Sequence, residues 1–234
     1  MIRSNKFIQL LFLLLTGFAC KAQDINTLIA KVKFNIDKVN DYEATARMVT
    51  NVSFLKVPDA DVIVYFKKPN KIKIKNEKGI SFVPKGAVSI NLNNILSGNK
   101  YTAIDAGTDK IGNTMVRVVK LLPEDDNADV VLSTIYIDET AMVIRKAKTT
   151  TRANGSYVLE MTYGKYTAYG LPDKIIFSFD TKDYKLPKGV TFDFDDGTQA
   201  NKTSSDKAKN KNGKAEITFT SYQINKGVAN EFFN

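Results

Sequence analysis

Two hydrophobic rhythms divide this chain. From Asp24 to Asn40 the apolar residues Ile25, Leu28, Ile29, Val32, Ile36 and Val39 recur at helical spacing and gather on one stripe. Asp24 precedes them, and its carboxylate can accept free amides of a first turn. The pattern predicts one amphipathic helix.

After that helix the period drops to two. Ala44, Ala46, Met48, Val52 and Phe54 alternate with Glu43, Thr45, Arg47, Asn51 and Ser53. The beat returns in Val62, Val64, Phe66 and then in Ile72 and Ile74, set between Lys71, Lys73 and Lys75. Further strands are predicted at Ile80–Val83, Lys100–Asp105, Met115–Leu122, Val130–Asp138, Ala141–Thr151, Tyr157–Tyr169, Lys174–Asp180 and Ala215–Asn225. Turn pairs Pro69-Asn70, Lys78-Gly79, Asn154-Gly155 and Leu171-Pro172 punctuate them, Asn154-Gly155 reading as a two-residue hairpin. A short helix is expected near Asn91–Leu96. Regularly spaced strands with one leading helix give a mainly β, α+β chain: a large antiparallel sheet, curled or closed, in a single domain over 23–234.

Composition adds a compartment. Arg3 and Lys6 precede an apolar run from Phe7 to Leu15 and then small residues, the layout of a secretory signal peptide over 1–22. Cleavage before Gln23 is the expected exit, leaving a soluble periplasmic protein. The alternative is lipidation at Cys20, but Phe18 in Gly17-Phe18-Ala19 spoils the lipobox. Cleavage removes the single cysteine, and with it any disulfide or thiolate chemistry. It also removes Arg3, Lys6 and Lys21, leaving 31 basic against 25 acidic side chains, a charge of +6. A basic carrier is drawn toward anionic lipid or acidic partners. The segment Gly197–Lys214 has five lysines against Asp206 and no apolar residue larger than alanine, so it is expected to be a basic mobile loop.

The chain contains no histidine. Ser-His-Asp, Cys-His and HExxH arrangements are therefore excluded. Glu124-Asp125-Asp126 and Asp138-Glu139 sit in turn-rich contexts where Asp bonds its own backbone. Asp193-Phe194-Asp195-Asp196-Gly197 lacks the later glutamate of a calcium loop, and Gly107 to Gly112 lacks the Gly-Lys-Ser/Thr of a phosphate cradle. Lysines are dispersed without an aromatic-basic motif, so nucleic acid is not an expected partner. The reading is of a non-catalytic chain with no catalytic residue, metal or cofactor. What remains is the sheet, whose apolar face needs a cover that one helix only partly supplies. It can pack upon itself or enclose a hollow for an apolar ligand.

Particular motifs carry a resemblance. An N-terminal helix ending in Ile36-Asp37-Lys38-Val39-Asn40-Asp41-Tyr42 leads to a strand with Ala44 and then one closing on Phe66-Lys67-Lys68-Pro69-Asn70. Lys110-Ile111-Gly112-Asn113, Ile135-Tyr136-Ile137-Asp138, Tyr163-Gly164-Lys165-Tyr166, Gly170-Leu171-Pro172, Ile224-Asn225 and Phe232-Phe233 follow. Over most of Asp24 to Asp180 and the last strand, the chain resembles the LolA-like family of periplasmic lipoprotein-sorting proteins.

The resemblance implies an incomplete, strongly curved antiparallel barrel with helices lying as a lid across an apolar cavity that holds lipoprotein acyl chains. It implies a monomeric carrier working between an inner-membrane donor complex and an outer-membrane acceptor. The cavity is then lined from Ala44, Ala46, Met48, Val52 and Phe54, from Val62, Val64 and Phe66, from Ile72 and Ile74, and from Met142, Ile144, Leu159, Met161 and Phe177. The methionines suit a space that changes shape, since thioethers adapt to irregular gaps. Lys68 stands where the family has a cavity-rim arginine linked to onward transfer, and a lysine lacks the planar guanidinium fork. Two other readings use the same residues: a module that senses lipids or lipoproteins, and a hydrolase using paired carboxylates in a polar cleft.

Overall fold

The computed structural model describes residues 24–51, 59–69, 71–76, 96, 100–152, 155–180 and 212–233. The expected signal segment with Cys20, Val52, Phe54, the turn expected at Lys78-Gly79, the strand expected at Ile80–Val83, the helix expected near Asn91–Leu96 apart from Leu96 itself, Asp193–Gly197 and most of the Gly197–Lys214 segment lie outside them.

The expected helix is α1, Ile25–Asp37. Asp24 caps it, its carboxylate accepting from the Thr27 amide at 3.2 Å. Ile25, Leu28, Ile29 and Val32 are buried, each contributing about 2 to 3 kcal/mol by leaving water.

Ten strands follow among the described residues: β1 (Asp41–Asn51), β2 (Ala60–Lys67), β3 (Lys71–Asn76), β4 (Tyr101–Ile111), β5 (Thr114–Pro123), β6 (Val130–Asp138), β7 (Val143–Thr151), β8 (Gly155–Thr162), β9 (Lys174–Asp180) and β10 (Asn212–Ile224). They form one antiparallel sheet in the order β3-β2-β1-β10-β9-β8-β7-β6-β5-β4. The sheet does not close, so β3 and β4, consecutive in the chain, lie at opposite edges. This is an incomplete, curved barrel with α1 across its concave side.

Several boundaries differ from the sequence reading. The strand expected over Tyr157–Tyr169 runs from Gly155 and stops at Thr162, after which Thr167–Tyr169 form a single 3-10 turn, η1. The tyrosines that imitated strand alternation serve that turn: Tyr166 packs edge-on against Tyr222 with ring centres 4.9 Å apart. Ala141 and Met142 are not strand but turn, with Met142 at φ 53. Gly155, at φ 75, is itself the ladder partner of Thr151, so Asn154-Gly155 is not the two-residue turn of that hairpin. That role falls to Gly112-Asn113, between the paired Ile111 and Thr114, with Gly112 at φ 58. Gly107 lies where the β4–β5 register slips, its amide bonded to the Asp105 carboxylate at 2.8 Å.

Register explains how one face became apolar. Val119, Ile135, Ala147, Leu159, Phe177, Ala215 and Thr50 are successive cross-strand partners from β5 to β1. On the other side of the same face, Ala44 pairs with Val64 and Val64 with Ile74, while Tyr42 pairs with Phe66 and Phe66 with Ile72. The isoleucines of Lys71–Lys75 thus join the concave face. Lys71 and Lys75, which flank them, lie over rings on the convex face: Lys71 Nζ is 5.9 Å from the Phe233 ring centre, Lys75 Nζ is 4.8 Å from that of Phe232, and Phe232 stacks on Tyr65 at 4.5 Å. Phe232 belongs to a short terminal turn, η2 (Asn230–Phe233), that covers the back of β2.

Candidate functional site

The concave face carries two apolar clusters. Beneath α1, Leu28, Ile29 and Val32 meet Val119, Ile135, Ile137, Ile144, Leu159, Met161 and Phe177. Leu96, from the stretch joining β3 to β4, is buried in the same cluster. The second cluster gathers Ala44, Ala46, Met48, Val62, Val64, Ile74, Ile217 and Tyr222. Tyr42, Tyr166, Leu171 and Phe219 pack against it, and Tyr42 and Tyr222 meet edge to face at 5.3 Å.

The residues assigned from sequence divide between these clusters. Ala44, Ala46, Met48, Val62, Val64 and Ile74 are buried in the second, and Ile144, Leu159, Met161 and Phe177 in the first. Phe66 is buried against Tyr42, with ring centres 5.2 Å apart, and Ile72, half-buried, is its strand neighbour. Met142 is only half-buried: it sits on the β6–β7 turn at the edge of the helix and touches the first cluster from the side.

The sequence reading missed the aromatic rim of Tyr42, Tyr163, Tyr166, Phe219 and Tyr222. Phe219 and Tyr222 are three apart yet share a face, because β10 carries an extra residue, Thr220, where its register against β1 shifts between Thr45 and Ala46. A strict period of two cannot reveal that.

The electrostatics of the face are those of a dry surface. Burial pushes the phenols of Tyr42, Tyr163 and Tyr222 well above the ordinary tyrosine range. Two of these hydroxyls donate to backbone carbonyls, Tyr163 to Ile144 at 2.9 Å and Tyr222 to Pro172 at 2.8 Å. One end of the face is more polar. Ser133 and Thr149 share a hydrogen bond of 2.9 Å, and buried Thr50 has an Oγ1 with no partner among the described residues.

The carboxylates of the sequence reading serve turns and ion pairs. Asp125 accepts from the Asn127 amide at 2.9 Å. Asp138 accepts from the Thr140 and Ala141 amides at 3.0 Å and holds Arg145 through Nε and Nη2 at 3.0 and 2.8 Å. Burial alone would raise the Asp138 carboxyl, but these donors outweigh it and hold it below its ordinary value. Glu139 is held by Arg117 at 2.9 Å.

Lys68 closes the far end of β2 against α1. Its ammonium donates to the Asp37 carbonyl, the last of the helix, at 2.6 Å, and lies 3.7 Å from the Asp37 carboxylate. A cation at a helix C-terminus satisfies a free carbonyl and the negative end of the helix dipole. Gly170, at φ 63, brings the η1 turn against Ile36 on the same end of the helix.

The architecture can be compared with solved structures. The chain superposes on an outer membrane lipoprotein-sorting protein domain from Vibrio parahaemolyticus with a TM-score of 0.54 and 12% identity, covering 89% of this chain and 95% of that one. This is the LolA fold. A LolA superfamily protein from Nitrosomonas europaea matches at TM-score 0.54 with 10% identity, over 89% of this chain and 96% of that one. A DUF1329 family protein from Desulfovibrio piger matches at 0.55 with 9% identity, over 90% and 97%. No family model and no curated protein sequence matches the chain. At such identities the likeness to LolA proteins is one of fold.

Proposed function

We propose that this chain is a periplasmic, non-catalytic carrier that shelters acyl chains of lipoproteins or lipids between the concave face and α1 and ferries them toward the outer membrane. It works as a monomer between an inner-membrane donor and an outer-membrane acceptor. The observation that carries the reading is the unbroken cross-strand row from Val119 to Ala215, faced by α1. Each methylene sheltered there gains about 0.8 kcal/mol, so part of one acyl chain supplies several kcal/mol without specific hydrogen bonds. Loading and release both need the cover to shift, since Leu28, Ile29 and Val32 of α1 pack directly on that row. The helix is one element, and Lys68 tethers its last carbonyl from the end of β2. Lys68 is thus the rim residue that couples cover to sheet.

The test is uptake of a fluorescent fatty-acyl probe by delipidated protein, followed by vesicle transfer. Saturable uptake that Leu159→Asp or Phe177→Asp abolishes supports a carrier. Uptake without transfer to acceptor vesicles favours a sensing module, and no uptake by folded protein ends both readings.

A further inference from the structure

The outward side of α1 is not built like a surface meant only for water. Thr27, Ala30, Lys31, Phe34 and Asn35 along that stripe, together with Met142 from the β6–β7 turn, enclose an open groove of about 400 Å³. Phe34 is 67% exposed, the most exposed large apolar side chain among the described residues. Phe34 shares the groove with the apolar side chains of Ala30 and Met142, so its exposure belongs to a patch and not to a lone side chain.

Charge around the groove names the chemistry of a partner. Lys31 is exposed on the same stripe, and Lys38 lies over the Phe34 ring at 4.9 Å while donating to Asn35 Oδ1 and the Ala168 carbonyl. The acidic groups nearby are engaged. Asp24 caps the helix, Asp37 is paired with Lys33 at 3.2 Å and with Lys68, Glu139 is held by Arg117, and Asp138 is buried against Arg145. Beside the C-terminal end of the helix, Tyr169 of η1 is also exposed. An exposed aromatic with flanking lysines on an amphipathic helix matches the polar, anionic layer of a bilayer, where the ring enters the headgroup region and ammonium groups meet phosphate.

We propose that this outer stripe of α1, centred on Phe34, is a docking surface for an anionic lipid bilayer. The same helix packs on the concave face from within, so docking places that helix between the membrane and the sheet. The surface stands independently of any cargo, and its test needs none.

The chain has no tryptophan, so Phe34→Trp installs a unique reporter. Its emission should shift to the blue on vesicles mixing phosphatidylcholine and phosphatidylglycerol, and brominated lipid should quench it. Both responses should fade on pure phosphatidylcholine and in high salt. In co-sedimentation of the full chain, Phe34→Ala should weaken binding about tenfold. The pair Lys31→Glu and Lys38→Glu should weaken it by at least a further tenfold. Lys148→Glu, on the exposed convex face, should bind within about twofold of the parent, as expected of a lysine outside the contact. An indole emission that stays unshifted on vesicles that bind the Phe34→Trp protein, equal losses from Lys148→Glu, or no binding to anionic vesicles at all would each overturn the proposal. Unchanged thermal unfolding of each variant separates lost docking from lost folding.

Discussion

The Lys68 ammonium donates to the carbonyl of Asp37 across 2.6 Å, joining the end of the second strand to the last turn of the only regular helix among the described residues. One side chain thereby links the sheet to its cover. Lys68→Met should lower stability by about 1 to 2 kcal/mol, the worth of a hydrogen bond from a charged donor in a partly exposed site. It should also speed hydrogen exchange in the last turn of α1 more than in β8 or β9. Lys68→Arg should restore both, since guanidinium can reach the same carbonyl. Urea midpoints and exchange mass spectrometry check this, and uniform acceleration across the sheet would show that Lys68 holds no particular element.

Asp138 organises the turn that carries Met142. Its carboxyl is held below the ordinary range, so it binds protons more weakly in the folded chain than in the unfolded one. The sign follows: the stabilisation is complete above about pH 4, the unfolded carboxyl value, and is lost as pH falls below it toward the folded value. Asp138→Asn should cost about 2 kcal/mol at neutral pH, because Arg145 loses its charged partner. The difference between parent and variant should shrink as pH is lowered from about 5 to 3. A gap that stays constant would contradict the assignment.

Thr50 and Thr149 should respond oppositely to the same change. Thr50 buries an Oγ1 without a partner among the described residues, so Thr50→Val should raise stability by about 1 kcal/mol. Thr149 bonds Ser133, so Thr149→Val strands a buried hydroxyl and should cost about 1 to 2 kcal/mol. Denaturant titration of both variants reads the two signs directly.

Gly170 stands at φ 63, and a Cβ added there would meet Ile36 Cγ1 at 3.1 Å. Gly170→Ala should cost about 1 to 2 kcal/mol from backbone conformation alone. It should also push η1 from the helix end, seen as faster exchange in both. Unchanged exchange at α1 would mean that η1 does not support the helix.

Much of this fold was legible because burial is one-sided. The helical stripe from Ile25 to Val32 faces the core, and the strands at Val130–Asp138 and Lys174–Asp180 have the bounds their alternation predicts. The concave residues on β1, β2 and β3 were legible for the same reason: polar residues between Ala44, Ala46 and Met48 could only face outward. Alternation failed where register slips. Thr220 moves Tyr222 onto the face of Phe219, and Tyr163 and Tyr166 look like strand residues while building a turn. Lys68 offered no local signal of its contact, since Asp37 is distant in sequence and only the fold brings the helix end to the strand end. Nor does spacing tell which helical residues outside the stripe matter, so Phe34 emerged only from its exposure.

For a carrier, hydrocarbon must enter between α1 and the row from Val119 to Ala215, displacing the packing of Leu28, Ile29 and Val32 on that row. Native mass spectrometry of protein purified without detergent tests this most directly. The expected spectrum carries an added mass that fragments to an acyl-bearing lipid or lipopeptide and disappears in Leu159→Asp protein that remains folded. A bare chain mass, unchanged after incubation with lipid, would contradict it.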